Sequence, residues 1–108
     1  KSAHGRAVML LMGMRRRSKA EGWVHPQITV EEIERRITNG HCEQTGIEFD
    51  LSPTTGSHNN PFAPSPDRID SSLGYTNVNI QFVCWIYNAM KSDFPPDAVA
   101  KFITALRQ

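Results

Sequence analysis

The stretch that decides the fold is residues 64–91, which read PSPDRIDSSLGYTNVNIQFVCWIYNAMK. Residues 67–70 and 79–83 are predicted to be extended strands, and the glycine-containing segment 71–76 is predicted to be the turn between them. Residues 84–91 then follow with a helical period. This order predicts a β-hairpin that leads directly into a helix.

The composition around this stretch is that of one small globular domain. The 108 residues are 39% hydrophobic and 21% charged, and they contain no apolar run long enough for a membrane span. A chain of this length builds one hydrophobic core, so a single domain is predicted over residues 1–108. Residues 1–23 lack the order of a secretory signal peptide. We therefore expect a cytoplasmic protein that does not contact membranes.

The first segment is expected to form a helix over residues 3–20. These residues are good helix formers, and they have a mostly apolar stripe formed by Val8, Leu11, Met12 and either Met14 or the stem of Arg15. This stripe predicts the face on which the helix packs.

A second, shorter helix is predicted over residues 29–38. Thr29 is a favoured N-cap, and Glu32 is placed to complete a capping box with it. Asn39 and Gly40 suit the left-handed exit that such a helix often uses.

The remaining segments complete the order. Residues 47–51 alternate like a half-buried strand, and residues 52–66 contain four prolines and are predicted to form a long loop. After Pro95 the pattern predicts an amphipathic helix with an apolar stripe at Val99, Phe102, Ile103 and Leu106. We expect this stripe to close the core. The predicted segments are thus 1–23 (basic helix), 24–40 (short helix), 41–66 (strand and long loop), 67–92 (hairpin and helix) and 95–108 (C-terminal helix).

The net charge of +1 conceals a basic N-terminal segment. Residues 1–23 carry six basic groups against one acid, with a cluster at Arg15, Arg16, Arg17 and Lys19. Such a patch neutralises phosphates and gives salt-sensitive binding to DNA without sequence preference. Consecutive arginines also solvate a helix end without any partner, and charge alone favours that simpler explanation.

Residues 64–91 resemble the signature of the HNH endonucleases, the ββα-metal nucleases. The match consists of Asp67 followed by a basic residue and Ile, a Gly-containing turn, Asn79 before Ile-Gln-Phe-Val-Cys, and Asn88 with Lys91 one turn later. It extends through ITVEEIERRI and CEQTGIEFDLS to the bacteriophage-associated branch of the family, across nearly the whole chain. The resemblance implies an α+β fold, with a small ββα-metal core between N-terminal and C-terminal helices, and a DNA endonuclease activity.

The resemblance also implies the roles of individual residues. Asp67 and Asn88 would hold one divalent cation, and hard oxygen ligands favour Mg²⁺ or Mn²⁺. Asn79 would brace the hairpin through backbone hydrogen bonds without touching the metal. Lys91 would reach a phosphate of the DNA, although a lysine at a helix end complements the helix dipole equally well.

The chain departs from the family pattern at Arg68, where the family usually has a histidine that acts as general base. Arginine stays protonated, so it cannot take that role. Three alternatives are open: Arg68 clamps a phosphate, another side chain supplies the base, or the site binds DNA and metal without cutting. The candidates for a relocated base are Asp70, His58, His41 and Tyr75, of which His58 is favoured by its ordinary pKa near ~6.5.

Cys42 and Cys84 stand where some HNH proteins have pairs of zinc ligands, but only one cysteine of each pair is present. Structural zinc normally takes four nitrogen or sulfur ligands, so a zinc site is not expected. We expect two buried thiols that lie close together in a reducing compartment.

The predicted function is a metal-dependent DNA endonuclease, and a homodimer would let two sites cut both strands. A non-catalytic DNA-binding or packaging accessory on the same scaffold is the alternative, and a protein-interaction module is a third. Trp85 and Tyr87 are expected in the core and rim of the hairpin's helix rather than as platforms for DNA bases.

Overall fold

The computed structural model describes residues 2–53, 60–92 and 94–108. Its elements in chain order are α1 (Ser2–Glu21), α2 (Val30–Ile37), β1 (Pro64–Arg68), β2 (Ile80–Cys84), α3 (Trp85–Lys91) and α4 (Pro96–Leu106). β1 and β2 form a two-stranded antiparallel hairpin. The predicted α+β class is therefore confirmed, and none of the helices in these ranges is both long and apolar enough to cross a bilayer.

α1 packs on α2 through a row of side chains that matches the predicted stripe only in part. Ala7, Leu11, Met14 and Ser18 are buried, whereas Met12 is 54% exposed. α1 carries apolar residues around much of its circumference, so periodicity alone did not select the buried face. The small side chains at both ends of the buried row let the helix lie close to its neighbours.

α2 has the termini that the sequence predicts. Thr29 Oγ1 accepts a hydrogen bond from the backbone nitrogen of Glu32 at 3.1 Å, and Asn39 adopts the left-handed conformation with φ of 52°. The capping box is not completed, because the Glu32 carboxylate accepts two hydrogen bonds from Arg35 instead.

β1 starts three residues before the predicted start of the first strand, and it includes Pro64 and Pro66. Trp85 donates its backbone N–H to the carbonyl of Ala63, and the hydrogen-bonded positions alternate along an antiparallel strand. The nitrogens of the two prolines therefore point away from β2, where no ladder donor is needed. This is why the proline-rich end of the predicted loop can be a strand.

Residues 47–51 do not form the predicted strand. The segment makes one isolated bridge, between His41 and Glu48. Phe49 is buried, but Ile47 is 43% exposed, so only part of the alternating pattern faces the core. No second strand lies alongside long enough to continue the ladder in the described part of the chain.

α4 does not close the core as predicted. The core is a single apolar cluster that α1, α2 and the hairpin build around Phe82, with Ile33 and Ile37 fully buried. On α4 only Val99 is buried, whereas Phe102 is 53% exposed and Leu106 is 67% exposed. The amphipathic pattern correctly predicted that this segment is helical, but it did not predict which surface its apolar face packs against.

Candidate active site

A cleft of about 340 Å³ lies where β1, the hairpin turn and α3 meet the end of α1. Its charged lining residues are three cations and one carboxylate, so the cleft has a net positive charge that favours an anionic ligand. The side chains that line it include those of Arg17, Asp67, Arg68, Tyr75, Trp85, Asn88 and Lys91.

Asp67 is the acid of this cleft and is only 6% exposed. Its Oδ2 accepts hydrogen bonds from Gln81 Nε2 at 2.8 Å and from Lys91 Nζ at 2.7 Å. No described residue donates to the other oxygen, Oδ1, and that atom is not sealed from solvent. A buried carboxylate with one free oxygen fits a divalent cation as a monodentate ligand.

Asn88 lies across the cleft on α3. Its Nδ2 donates to Ser65 Oγ at 2.8 Å and to the carbonyl of Pro66 at 3.2 Å, which ties α3 to β1. The amide is thereby oriented so that Oδ1 has no donor in the described part of the chain. Asp67 and Asn88 thus line one cleft from a strand and a helix, each with an unbonded oxygen.

Lys91 is buried rather than placed on a surface that DNA could reach. Its side chain is 5% exposed, and Nζ donates to Asp67 Oδ2 at 2.7 Å and to the carbonyl of Arg68 at 2.8 Å. The ammonium is therefore committed to the carboxylate, which corrects the expected phosphate contact. Its ammonium instead forms an ion pair with the Asp67 carboxylate and holds that side chain in one orientation.

Arg68 lies against Trp23, with the guanidinium 4.0 Å from the ring centroid. Its Nη1 donates to the carbonyls of Ser71 and Leu73. Nε and Nη2 have no acceptor among the described residues, and the side chain lines the cleft. The stacking holds a cation at the cleft wall with donors to spare for a phosphate oxygen.

Asn79 makes the backbone hydrogen bonds that the sequence led us to expect. Its Oδ1 accepts from the Asp70 nitrogen at 2.7 Å, and its Nδ2 donates to the carbonyls of Asp70 at 3.0 Å and Gly74 at 2.8 Å. The side chain is 4% exposed and lies outside the cleft lining. It stabilises the turn that follows β1 rather than contacting a ligand.

The candidates for the general base differ in where they lie relative to the cleft. Asp70 is exposed and lies outside the cleft lining, and its hydrogen bonds from Ser72 lower the pKa of its carboxyl, which makes it a weaker base. His41 also lies outside the cleft lining, and His58 lies outside the described residues. Of the described candidates, only Tyr75 lines the cleft.

The four residues of the basic cluster of α1 do not all lie at the cleft. Arg17 lines the cleft, and Arg16 lines an adjoining groove that runs along α1. Arg15 and Lys19 are exposed but line neither. The sequence could not make this distinction, because it depends on which side of α1 faces the hairpin.

Trp85 lies in a different place from the one that the sequence predicted. Its side chain is 39% exposed and lines both the cleft and the adjoining groove, whereas we expected it in the core. Tyr87 is half-buried against the apolar cluster, as expected for the rim. The signal for Trp85 was its spacing of three from Asn88, which places the two on one helix face.

Cys42 and Cys84 are free thiols, both buried in the same apolar cluster, as expected. Burial, together with a hydrogen bond to the Cys42 thiol, raises the pKa of Cys84. Thr45 Oγ1 lies 3.9 Å from Cys84 Sγ. Within the described residues no three His, Cys, Asp or Glu side chains gather where they could hold a metal ion.

The oxygen atoms of Asp67 and Asn88 that lack a donor among the described residues are thus one carboxylate oxygen and one amide oxygen, from two side chains that line the same cleft. Comparisons of the chain with protein-family models, with curated proteins and with solved structures found no match.

Proposed function

We propose that this protein is a metal-dependent DNA endonuclease of the HNH type, which hydrolyses phosphodiester bonds at the cleft between β1 and α3. One observation carries the proposal: the unbonded oxygens of Asp67 and Asn88 belong to a single cleft whose other charged groups are cations. Oxygen ligands beside cationic side chains are what a divalent cation and a phosphodiester need together.

Each residue of the cleft would have a separate role in the reaction. Asp67 and Asn88 would hold Mg²⁺ or Mn²⁺, which supplies Lewis-acid stabilisation of the charge that develops on the phosphate. Arg68, stacked on Trp23, would offer a phosphate oxygen its Nε and Nη2, which have no acceptor among the described residues. Arg17 adds a second cation on the α1 side. Lys91 would hold the Asp67 carboxylate in place through its hydrogen bond, without reaching the substrate.

A plasmid-nicking assay tests the proposal. Supercoiled DNA should be nicked in the presence of Mg²⁺ or Mn²⁺ and left intact in EDTA. Asn88→Ala retains the Asp67–Lys91 pair, so it should remain folded while activity falls at least about a hundredfold, because the cation loses a ligand. Asp97→Asn, which changes an exposed carboxyl in the first turn of α4, should cut like the parent. Equal activity of the Asn88 and Asp97 variants would refute the proposed site.

A second candidate function is DNA binding without cleavage. Two observations favour it: no histidine lines the cleft in the described part of the chain, and Asp67 is already paired with Lys91. On this alternative the protein binds duplex DNA at low salt, yet no divalent cation produces nicks. The same assay, run beside a binding measurement, separates the two candidates.

A further inference from the structure

The cleft continues into the groove along α1, and one aromatic side chain lies in both. The two share Arg17, Tyr75, Trp85 and Asn88 in their walls. Tyr75 is 2% exposed and offers no open ring face, whereas the indole of Trp85 is 39% exposed. Trp85 is thus an accessible aromatic surface beside both the proposed cation ligands and a cationic wall.

We propose that Trp85 stacks on an unpaired base, so that the cleft takes DNA whose strands are separated at the site of cutting. The inference rests on the proposed function, since it assigns a substrate form to the same cleft. Every base has a π-face, so such a contact is independent of sequence. In an intact duplex these faces are covered by neighbouring base pairs, and only base edges are accessible in the grooves.

The geometry of α3 connects the base to the reacting phosphate. Trp85 and Asn88 are three residues apart, which places them as neighbours on one helix face. A phosphate held near Asn88 and Arg68 therefore has its nucleoside within reach of the indole. Trp23, the other tryptophan, cannot serve in this way, because the Arg68 guanidinium covers its ring.

The test measures DNA binding in EDTA, so that no cleavage occurs. Fluorescence anisotropy compares a labelled twelve-nucleotide thymidine strand, an abasic strand of the same length and charge, and a hairpin duplex. The parent protein should bind the thymidine strand about tenfold more tightly than the abasic strand, and more tightly than the duplex. In Trp85→Leu the preference over the abasic strand should disappear, whereas Trp85→Phe, which keeps an aromatic ring, should retain much of it.

Ile86→Leu is the matched control, because Ile86 is 50% exposed on the same helix and lines neither the cleft nor the groove. It should bind all three probes like the parent. Equal binding of the thymidine and abasic strands by the parent, or a preference that persists in Trp85→Leu, would overturn the inference. A Trp85-dependent preference without nicking activity would instead uphold it while refuting the endonuclease, so the two proposals fail separately.

Discussion

Lys91 Nζ lies 2.7 Å from Asp67 Oδ2, and both side chains are more than nine-tenths buried. This pair joins the last turn of α3 to β1, beneath the cleft that Asp67 lines. Removing water from two charges is costly, so each depends on the other remaining in place. The carboxylate proposed to hold the cation is therefore fixed before any cation arrives.

Loss of Lys91 should expose this dependence. Lys91→Met leaves the Asp67 carboxylate buried without its counter-charge, which we expect to lower the free energy of unfolding by about 3–5 kcal/mol. Millimolar Mn²⁺ should restore part of the loss, because a cation at Asp67 replaces the missing charge. Urea unfolding with and without Mn²⁺ measures both effects. Lys101→Met changes an exposed lysine of α4 and serves as the control, with no more than a few tenths of a kcal/mol expected.

The turn after β1 depends on Asn79. Asn79→Ala removes an acceptor for the Asp70 nitrogen and a donor for the carbonyls of Asp70 and Gly74, the latter buried, so it should destabilise the protein by about 1–3 kcal/mol. In Asn77→Ala the change should be near zero, since Asn77 is exposed and contributes its backbone nitrogen to the bond with Gln27. Thermal unfolding of the two variants compares them directly. Equal melting temperatures would contradict the bracing role.

The division of the basic cluster predicts unequal effects on DNA binding. Arg17→Ala should weaken binding to duplex and single-stranded DNA alike, and should reduce the slope of log affinity against log salt by about 0.7–0.9. Arg15→Ala, which removes the same charge two residues away but outside the cleft, should change both quantities much less. Anisotropy titrations over a range of NaCl concentrations measure the slopes. Identical slopes for the two variants would mean that the cluster acts only as diffuse charge.

Two glycines should respond in opposite directions to alanine. A methyl group at Gly5 in α1 meets no atom, and alanine is the better helix former, so Gly5→Ala should stabilise the protein by about 0.5–1 kcal/mol. At Gly40 the same methyl would collide with the backbone carbonyl of Arg36, so Gly40→Ala should destabilise it. Chemical unfolding gives both signs, and a stabilising Gly40→Ala would show that the turn after α2 can move aside.

Two phenylalanines that differ in burial should differ in how much they contribute to the free energy of unfolding. Phe82 is fully buried at the centre of the apolar cluster, and Phe82→Ala should cost about 3–5 kcal/mol. Phe102 on α4 is 53% exposed, and Phe102→Ala should cost about 1 kcal/mol or less. If the two costs were similar, α4 would be packed in solution as the sequence pattern suggested. Unfolding free energies of the two variants decide between these arrangements.

The features that the sequence predicted well depend on short-range chemistry. The cap at Thr29 and the left-handed Asn39 each involve groups within a few residues, so a local pattern contains the whole interaction. The hydrogen bonds of Asn79 close a turn of the same kind. Asp67 and Asn88 line one cleft, as expected from a motif that brings a strand and the following helix together, but their role as cation ligands stays a prediction.

The features that were missed depend on which surfaces meet in space. Lys91 was expected to face DNA, but the sequence does not reveal that Asp67 lies beside it in the interior. Trp85 was expected in the core, but its side chain is 39% exposed. Apolar residues at a helical period do not show which face of the helix another element covers. The same reason explains the exposed stripe of α4, whose pattern is amphipathic although most of its apolar side chains remain in solvent.

The placement of Pro64 and Pro66 has a consequence for association between molecules. Each strand of a two-stranded hairpin has one unpaired edge, and such edges recruit extended peptides and other copies of the protein. The outer edge of β1 offers no N–H at either proline position, and the carbonyl of Pro66 already accepts a hydrogen bond from Asn88 Nδ2. We therefore expect this edge to disfavour pairing with a further strand.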